Sequence, residues 1–248
     1  MYNPSAQELQ WLRDEKYGGI QNDAFYKDVA RLKKGEPLEY VIGNAPFLNC
    51  MIDLSFRPLI PRAETEYWVG AALKEIPADR PLRVLDIFSG SGCIGIAIAK
   101  DRPLATVDMA DLDENSLKQI RKNIAENGVS SHAKVFKSDV FGSVKGVYDF
   151  IFANPPYIAP DATDVQATVK DWEPHIALYA NEKGLALINE TIARGHEHLV
   201  PGGILYIEHD PRQTKAIKLT AKQFPYSHAT TLKDQYGRLR VTKFTKET

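Results

Sequence analysis

Val84-Leu85-Asp86-Ile87-Phe88-Ser89-Gly90-Ser91-Gly92-Cys93-Ile94-Gly95 reads as a buried strand, a glycine turn and the opening of a helix. Gly90, Gly92 and Gly95 satisfy G-x-G-x-x-G, and Asp111 closes the next apolar run about 20 residues on, where dinucleotide folds place a ribose-binding carboxylate. Outward from this unit the pattern repeats. Apolar runs at 82–87, 105–110, 133–137, 148–153 and 204–208 predict strands, and helical patterns at 90–100, 114–126, 184–199 and 212–223 alternate with them. Asp113 and Gly128 cap and close the second of these helices. Such alternation specifies an α/β, doubly wound parallel sheet. Two late strands at 226–232 and 239–244 have only a short turn between them, so they must pair antiparallel.

Two ligands suit the glycine turn, a nicotinamide dinucleotide and S-adenosylmethionine. Electrostatics separates them. Asp86 is expected at the mouth of the first strand, where a carboxylate would repel a pyrophosphate. The same group would attract the ammonium and sulfonium of S-adenosylmethionine. Ser138-Asp139 ends the third strand, where the adenine edge should lie; Asp139 suits the exocyclic amine, and Val140 or Phe141 the ring face.

The tetrapeptide Asn154-Pro155-Pro156-Tyr157 follows the fourth strand. It suits a planar, weakly nucleophilic NH2 group. The Asn154 side-chain oxygen can accept one N–H, and the Pro155 carbonyl the other, with no proline N–H to compete. Tyr157 can lie against the planar face. The stretch 155–183 that begins here carries little periodic pattern, and loops of that length are usually functional or disordered.

Upstream, 1–34 reads as two short helices broken at Gly18-Gly19, 35–61 as a Gly- and Pro-punctuated β-hairpin link, and a helix is expected at 64–76 as 62–248 opens the main domain. The 248 residues are 44% hydrophobic and 25% charged with net charge −1, which fits an ordinary globular chain without a general basic surface for nucleic acid. Two cysteines form no disulfide framework, and the six histidines lack metal-ligand spacing, so no metal is expected. The N-terminus reads as neither a signal nor a transit peptide, and no apolar run predicts a membrane span, so a cytoplasmic setting is expected.

With Asp111, Ser138-Asp139 and Asn154-Pro155-Pro156-Tyr157, further segments carry a resemblance: Leu59-Ile60-Pro61-Arg62-Ala63-Glu64-Thr65-Glu66, Glu173-Pro174-His175, Ile207-Glu208-His209, and the link Gly35-Glu36-Pro37-Leu38-Glu39-Tyr40. Together they resemble the peptide chain release factor glutamine methyltransferases, class I enzymes that methylate a glutamine side-chain amide. The resemblance runs over about 35–244, nearly the whole chain. It implies a seven-stranded Rossmann-like methyltransferase sheet with an antiparallel last strand. It also implies S-adenosylmethionine as methyl donor and a release factor as partner, its glutamine lying in a Gly-Gly-Gln loop. The implied catalytic residues are Asn154, Pro155, Pro156 and Tyr157. The implied cofactor contacts are Asp86, Phe88, Ser89, Gly90, Ser91, Gly92, Asp111, Leu112, Asp139, Val140 and Asn154.

The chain departs from the family in places. Only 34 residues precede Gly35, fewer than the family's helical domain, which helps to dock the substrate. Phe88 stands where Gly is frequent, Val140 where an aromatic is frequent, and Asp210 where Gly is common. Alternatives of the same or neighbouring chemistry are a ribosomal-protein glutamine and adenine-N6 methylation of nucleic acid, the latter disfavoured by the neutral charge. A third is a cofactor-binding scaffold without catalysis.

Overall fold

A computed structural model describes residues 2–248. The chain begins with helix α1 (Ala6–Trp11), whose Ser5 and Glu8 form a reciprocal capping box, and which continues through a wider turn over Leu12–Lys16. Helices α2 (Asp23–Lys33) and α3 (Leu38–Ile42) follow. Leu12, Phe25, Leu32, Val41 and Ile42 bury one another as a small separate core. That core runs across the boundary drawn at residue 34, because α3 lies inside the stretch expected to be hairpin. The hairpin itself is β1 (Asn44–Phe47) paired antiparallel with β2 (Cys50–Asp53).

Helix α4 (Ala63–Leu73) leads into the main sheet. Strand β3 (Leu82–Ile87) is followed by helix α5 (Cys93–Asp101), buried from Cys93 to Ala99. An all-apolar helix needs cover on every side, and α5 has it. Strand β4 (Ala105–Asp111), helix α6 (Glu114–Glu126), β5 (Ala133–Lys137) and β6 (Tyr148–Ala153) continue the alternation. Asp113 accepts the Ser116 N–H at 2.8 Å as the expected cap of α6. Strand β7 (Leu199–Glu208) and the hairpin of β8 (Tyr226–Lys233) and β9 (Leu239–Lys246) complete the sheet.

The seven strands run β5-β4-β3-β6-β7-β9-β8. The first five are mutually parallel, and β9 lies antiparallel between β7 and β8. Strand order reverses at β3 and β6, so a crevice opens beyond their C-terminal ends, the usual ligand position in such sheets. Both the glycine turn and Asn154 lie at that crevice.

Two local expectations change. The helix expected to reach residue 199 ends at Gly195, and Leu199 instead pairs with Tyr148 at the start of β7. Leu199 is completely buried there, so ladder pairing and burial outweigh another helical turn. The patternless gap holds a short helix at Ala167–Trp172. It has no side-chain cap and no fully buried residue, so it lacks the periodicity by which a helix is recognised. Among the described residues no helix is long and apolar enough to cross a membrane.

Candidate active site

Strand β3 ends at Ile87, and the backbone at once turns left-handed at Phe88 (φ 57°), Gly90 (φ 55°) and Gly92 (φ 83°). A non-glycine residue in that region is strained by about 1–2 kcal/mol, so Phe88 holds its place against the preference of its own backbone. The turn is held from inside. Ser89 N–H donates to Ala110 O, Gly92 N–H to Ser89 O, and Gly90 N–H to Asp111 Oδ2 at 2.8 Å. The Ser89 hydroxyl donates to Asp86 O at 2.7 Å. These amides are therefore spent on the protein, and they do not form the open N–H cradle that a pyrophosphate needs.

Asp86 is not where its sequence position suggested. It is 0% exposed and lies beneath the turn, not at the mouth. Its Oδ2 accepts the Gly95 N–H at 3.0 Å, and its Oδ1 has no partner among the described residues. Burial, helped by the charge of Asp111, raises its pKa from 3.8 to about 7. Gly95 is small because a Cβ there would come within 2.6 Å of Met109 Sδ and 3.1 Å of Asp86 Oδ2. Gly92 caps α5 and faces Ile96 and Ile120. Of the three glycines, only Gly90 lines the cavity.

That cavity is walled by Phe88, Ser89, Gly90 and Ser91 from the turn, Ala110, Asp111 and Leu112 from the end of β4, and Ser138, Asp139 and Val140 from the end of β5. Asp111 Oδ1 accepts the Asp113 N–H at 2.9 Å, so both of its oxygens are fixed by backbone. Burial raises the Asp111 pKa. Val140 is buried with φ 45°, and the Ser138 hydroxyl donates to its carbonyl at 2.8 Å. Phe141 does not reach the cavity; it stacks on His198 at 4.8 Å in the core behind. Cys93 also lines the cavity, with its thiol pushed up to about 12 by burial. It is a packed wall and not a nucleophile.

The cavity presents two carboxylates, Asp111 and Asp139, and one cation, Arg62, which pairs with Glu173 at 2.5 Å. Apolar walls come from Ile94, Leu112, Val140 and Leu187. A ligand with an adenosine and positive charge fits this lining, and a diphosphate does not. S-adenosylmethionine therefore fits the residues present, for a reason different from the expected rim position of Asp86.

Asn154 stands where this cavity meets a second, open cleft of about 930 Å³. Pro156 lines the first, and Pro155 and Tyr157 line the second. Tyr157 is anchored at its far end, its hydroxyl donating to Glu208 Oε1 at 3.2 Å. Glu208 is 1% exposed and also accepts from Thr65 Oγ1 and Trp68 Nε1, each at 2.7 Å. Burial raises its pKa, partly opposed by those hydrogen bonds. Glu173, likewise buried, accepts the Ile60 N–H at 3.1 Å and binds Arg62, so it ties the long loop to the segment before α4.

Leu187, Ile176, Thr65 and Gln213 also line one or other cavity without having been singled out. Thr65 alone had a signal, its place in the Ile-Pro-Arg segment. The others come from distant elements and carry no local mark.

Residues 70–170 match the family described as the methyltransferase small domain. A release factor glutamine methyltransferase of Streptococcus pneumoniae is 37% identical over 220 residues, 88% of this chain and 78% of that protein. A protein of the same name from Bacteroides thetaiotaomicron is 36% identical over 218 residues, covering 86% of this chain and 77% of its own. The crystal structure of a methyltransferase from Pyrococcus furiosus superposes with a TM-score of 0.62 at 19% identity, over 90% of this chain and 99% of that one. That last likeness concerns the fold alone.

Proposed function

The chain belongs to the release factor glutamine methyltransferase family, and from that membership we propose that it methylates the side-chain amide nitrogen of the glutamine in the Gly-Gly-Gln loop of a release factor. S-adenosylmethionine supplies, when bound, a methyl group activated by its sulfonium. Asp111 and Asp139 would hold the polar edges of its adenosine, and Phe88, Leu112 and Val140 its apolar faces. The observation that carries this reading is the position of Asn154, which lines both the cofactor cavity and the open cleft.

A carboxamide nitrogen is a poor nucleophile because its lone pair is delocalised into the carbonyl. Asn154 Oδ1 and the Pro155 carbonyl would each accept a hydrogen bond from one of its N–H groups and push density toward nitrogen; as the N–CH3 bond forms, one N–H proton would leave to water in the open cleft, with no strong base required. Holding the amide in line is itself worth several kcal/mol. Tyr157, fixed through Glu208, would limit the tilt of the amide plane. The cleft is far larger than one carboxamide, so it suits an acceptor presented on a loop. Mass spectrometry of a Gly-Gly-Gln release factor after incubation with the protein and cofactor tests the reading. A gain of one methyl on that glutamine is expected, and an unmodified glutamine under conditions where cofactor binds would refute it.

A further inference from the structure

We propose that Gln213 is a positioning residue for this methyl transfer, its buried carboxamide fixing the backbone on which the acceptor amide is seated; the proposal rests on the function given above. Gln213 follows β7 and is 7% exposed. Its Nε2 donates to Tyr157 O at 3.0 Å and to Lys183 O at 3.1 Å. Its Oε1 accepts the Asp210 N–H at 3.0 Å. Both amide hydrogens and one acceptor site are thus used, and the side chain is locked.

The Asn154 turn needs such an anchor. Pro155 and Pro156 have no N–H, so two successive residues offer no donor to the surrounding backbone. The turn's first fixed backbone group beyond them is the Tyr157 carbonyl, and Gln213 holds it. The Tyr157 hydroxyl is held by Glu208, so the residue is pinned at both ends.

The opposite side of this junction is strained. Glu182 (φ 55°), Lys183 (φ 58°) and Gly184 (φ 80°) are left-handed in succession. Strain of this kind persists where the surroundings over-determine it. Here it turns the Lys183 carbonyl to Gln213 and brings Gly184 against the turn. A Cβ on Gly184 would lie 1.9 Å from Tyr157 O and 2.7 Å from Gln213 Nε2. Three separate stretches of chain therefore converge on one carbonyl at the edge of the open cleft, which Tyr157, Lys183 and Gln213 all line.

The test compares the parent with Gln213→Glu, Gln213→Met and Gly184→Ala, using a purified Gly-Gly-Gln release factor as acceptor. Gln213→Glu removes both donors and sets a carboxylate against two carbonyls. Gln213→Met keeps the volume without hydrogen bonds and serves where the first variant does not fold. Expected is a fall in kcat of about 100-fold per folded molecule, the scale of an ångström-sized misplacement. Cofactor affinity by calorimetry and acceptor KM should stay near the parent values. For Gln213→Glu the deficit relative to the parent should shrink as pH falls, because the protonated acid regains one donor. An unchanged kcat, a loss confined to thermal stability, or a rise in KM with kcat intact would each overturn the proposal while leaving the function standing. A parent that binds cofactor but methylates no release factor would overturn the function, and this inference with it.

Discussion

Asp86→Asn should flatten the pH dependence of folding stability. The variant keeps the shape of the side chain and an acceptor for the Gly95 N–H, and removes the ionisation; its NH2 group takes the place of the unpaired Oδ1, which costs stability equally at every pH. In the parent, burial raises the pKa from 3.8 to about 7. A raised carboxyl pKa contributes stability that is fully present below the unfolded value and lost as pH rises through the folded value. Between those two values, at 1.36 kcal/mol per pH unit, the parent loses about 4 kcal/mol from about pH 4 to about pH 7. The variant lacks this loss. Groups remote from the site, such as Asp53 held down to about 2 where Lys122 bonds it, titrate alike in both proteins and cancel in the difference. The assay is urea unfolding of parent and variant without cofactor at several pH values. The free-energy difference should swing in favour of the variant between about pH 4 and about pH 7. A difference that stays constant over that window would show that Asp86 titrates as an ordinary carboxyl, and would refute the burial argument.

Asn154→Ala should leave cofactor affinity near the parent value and lower turnover by about 100-fold or more, since it removes one of the two groups aligning the acceptor; single-turnover assays with calorimetry measure both. Asp111→Ala should weaken cofactor binding by about 1–3 kcal/mol, the scale of a lost charge-assisted hydrogen bond, and unchanged calorimetric affinity would exclude the contact. Phe88→Gly relieves left-handed strain of about 1–2 kcal/mol while removing part of the cavity wall. Its unfolding free energy should therefore fall by less than the ~3–5 kcal/mol typical of Phe→Ala in a core, with weaker cofactor binding.

The centre of the sheet was legible because strands such as β3 and β6 are buried along most of their length, so runs such as Tyr148-Asp149-Phe150-Ile151-Phe152-Ala153 stand out without help from the rest of the fold. The Asn154 turn was legible because its chemistry sits in four consecutive residues. Depth was not. Asp86 is only four residues from Gly90 in sequence, yet Met109 and the first turn of α5 cover it, and no local pattern reports that cover. Gln213 escaped notice for a related reason: its partner Tyr157 lies 56 positions away, and it looks like an ordinary polar residue until the chain is folded. Glu173 was marked by its motif, but its pairing with Ile60, 113 positions away, was not.

The hairpin of β1 and β2 is fastened to α6 mainly by carboxamides: Asn123 bonds Asp53 N–H at 2.8 Å, Gln119 bonds Phe56 N–H at 2.8 Å, and Asn127 bonds Met51 on both its N–H and its carbonyl. The helices before it are fastened by ions, with Lys16, Asp28, Arg31, Glu36 and Arg57 in one network. Counter-ions reach the half-exposed Arg31 and Arg57 ends of that network, but the buried carboxylates Asp28 and Glu36 are screened far less. Concentrated electrolyte should thus slacken the outer rim of the ionic joint first, while the apolar core beneath the leading helices and the carboxamide clasp on the hairpin both hold.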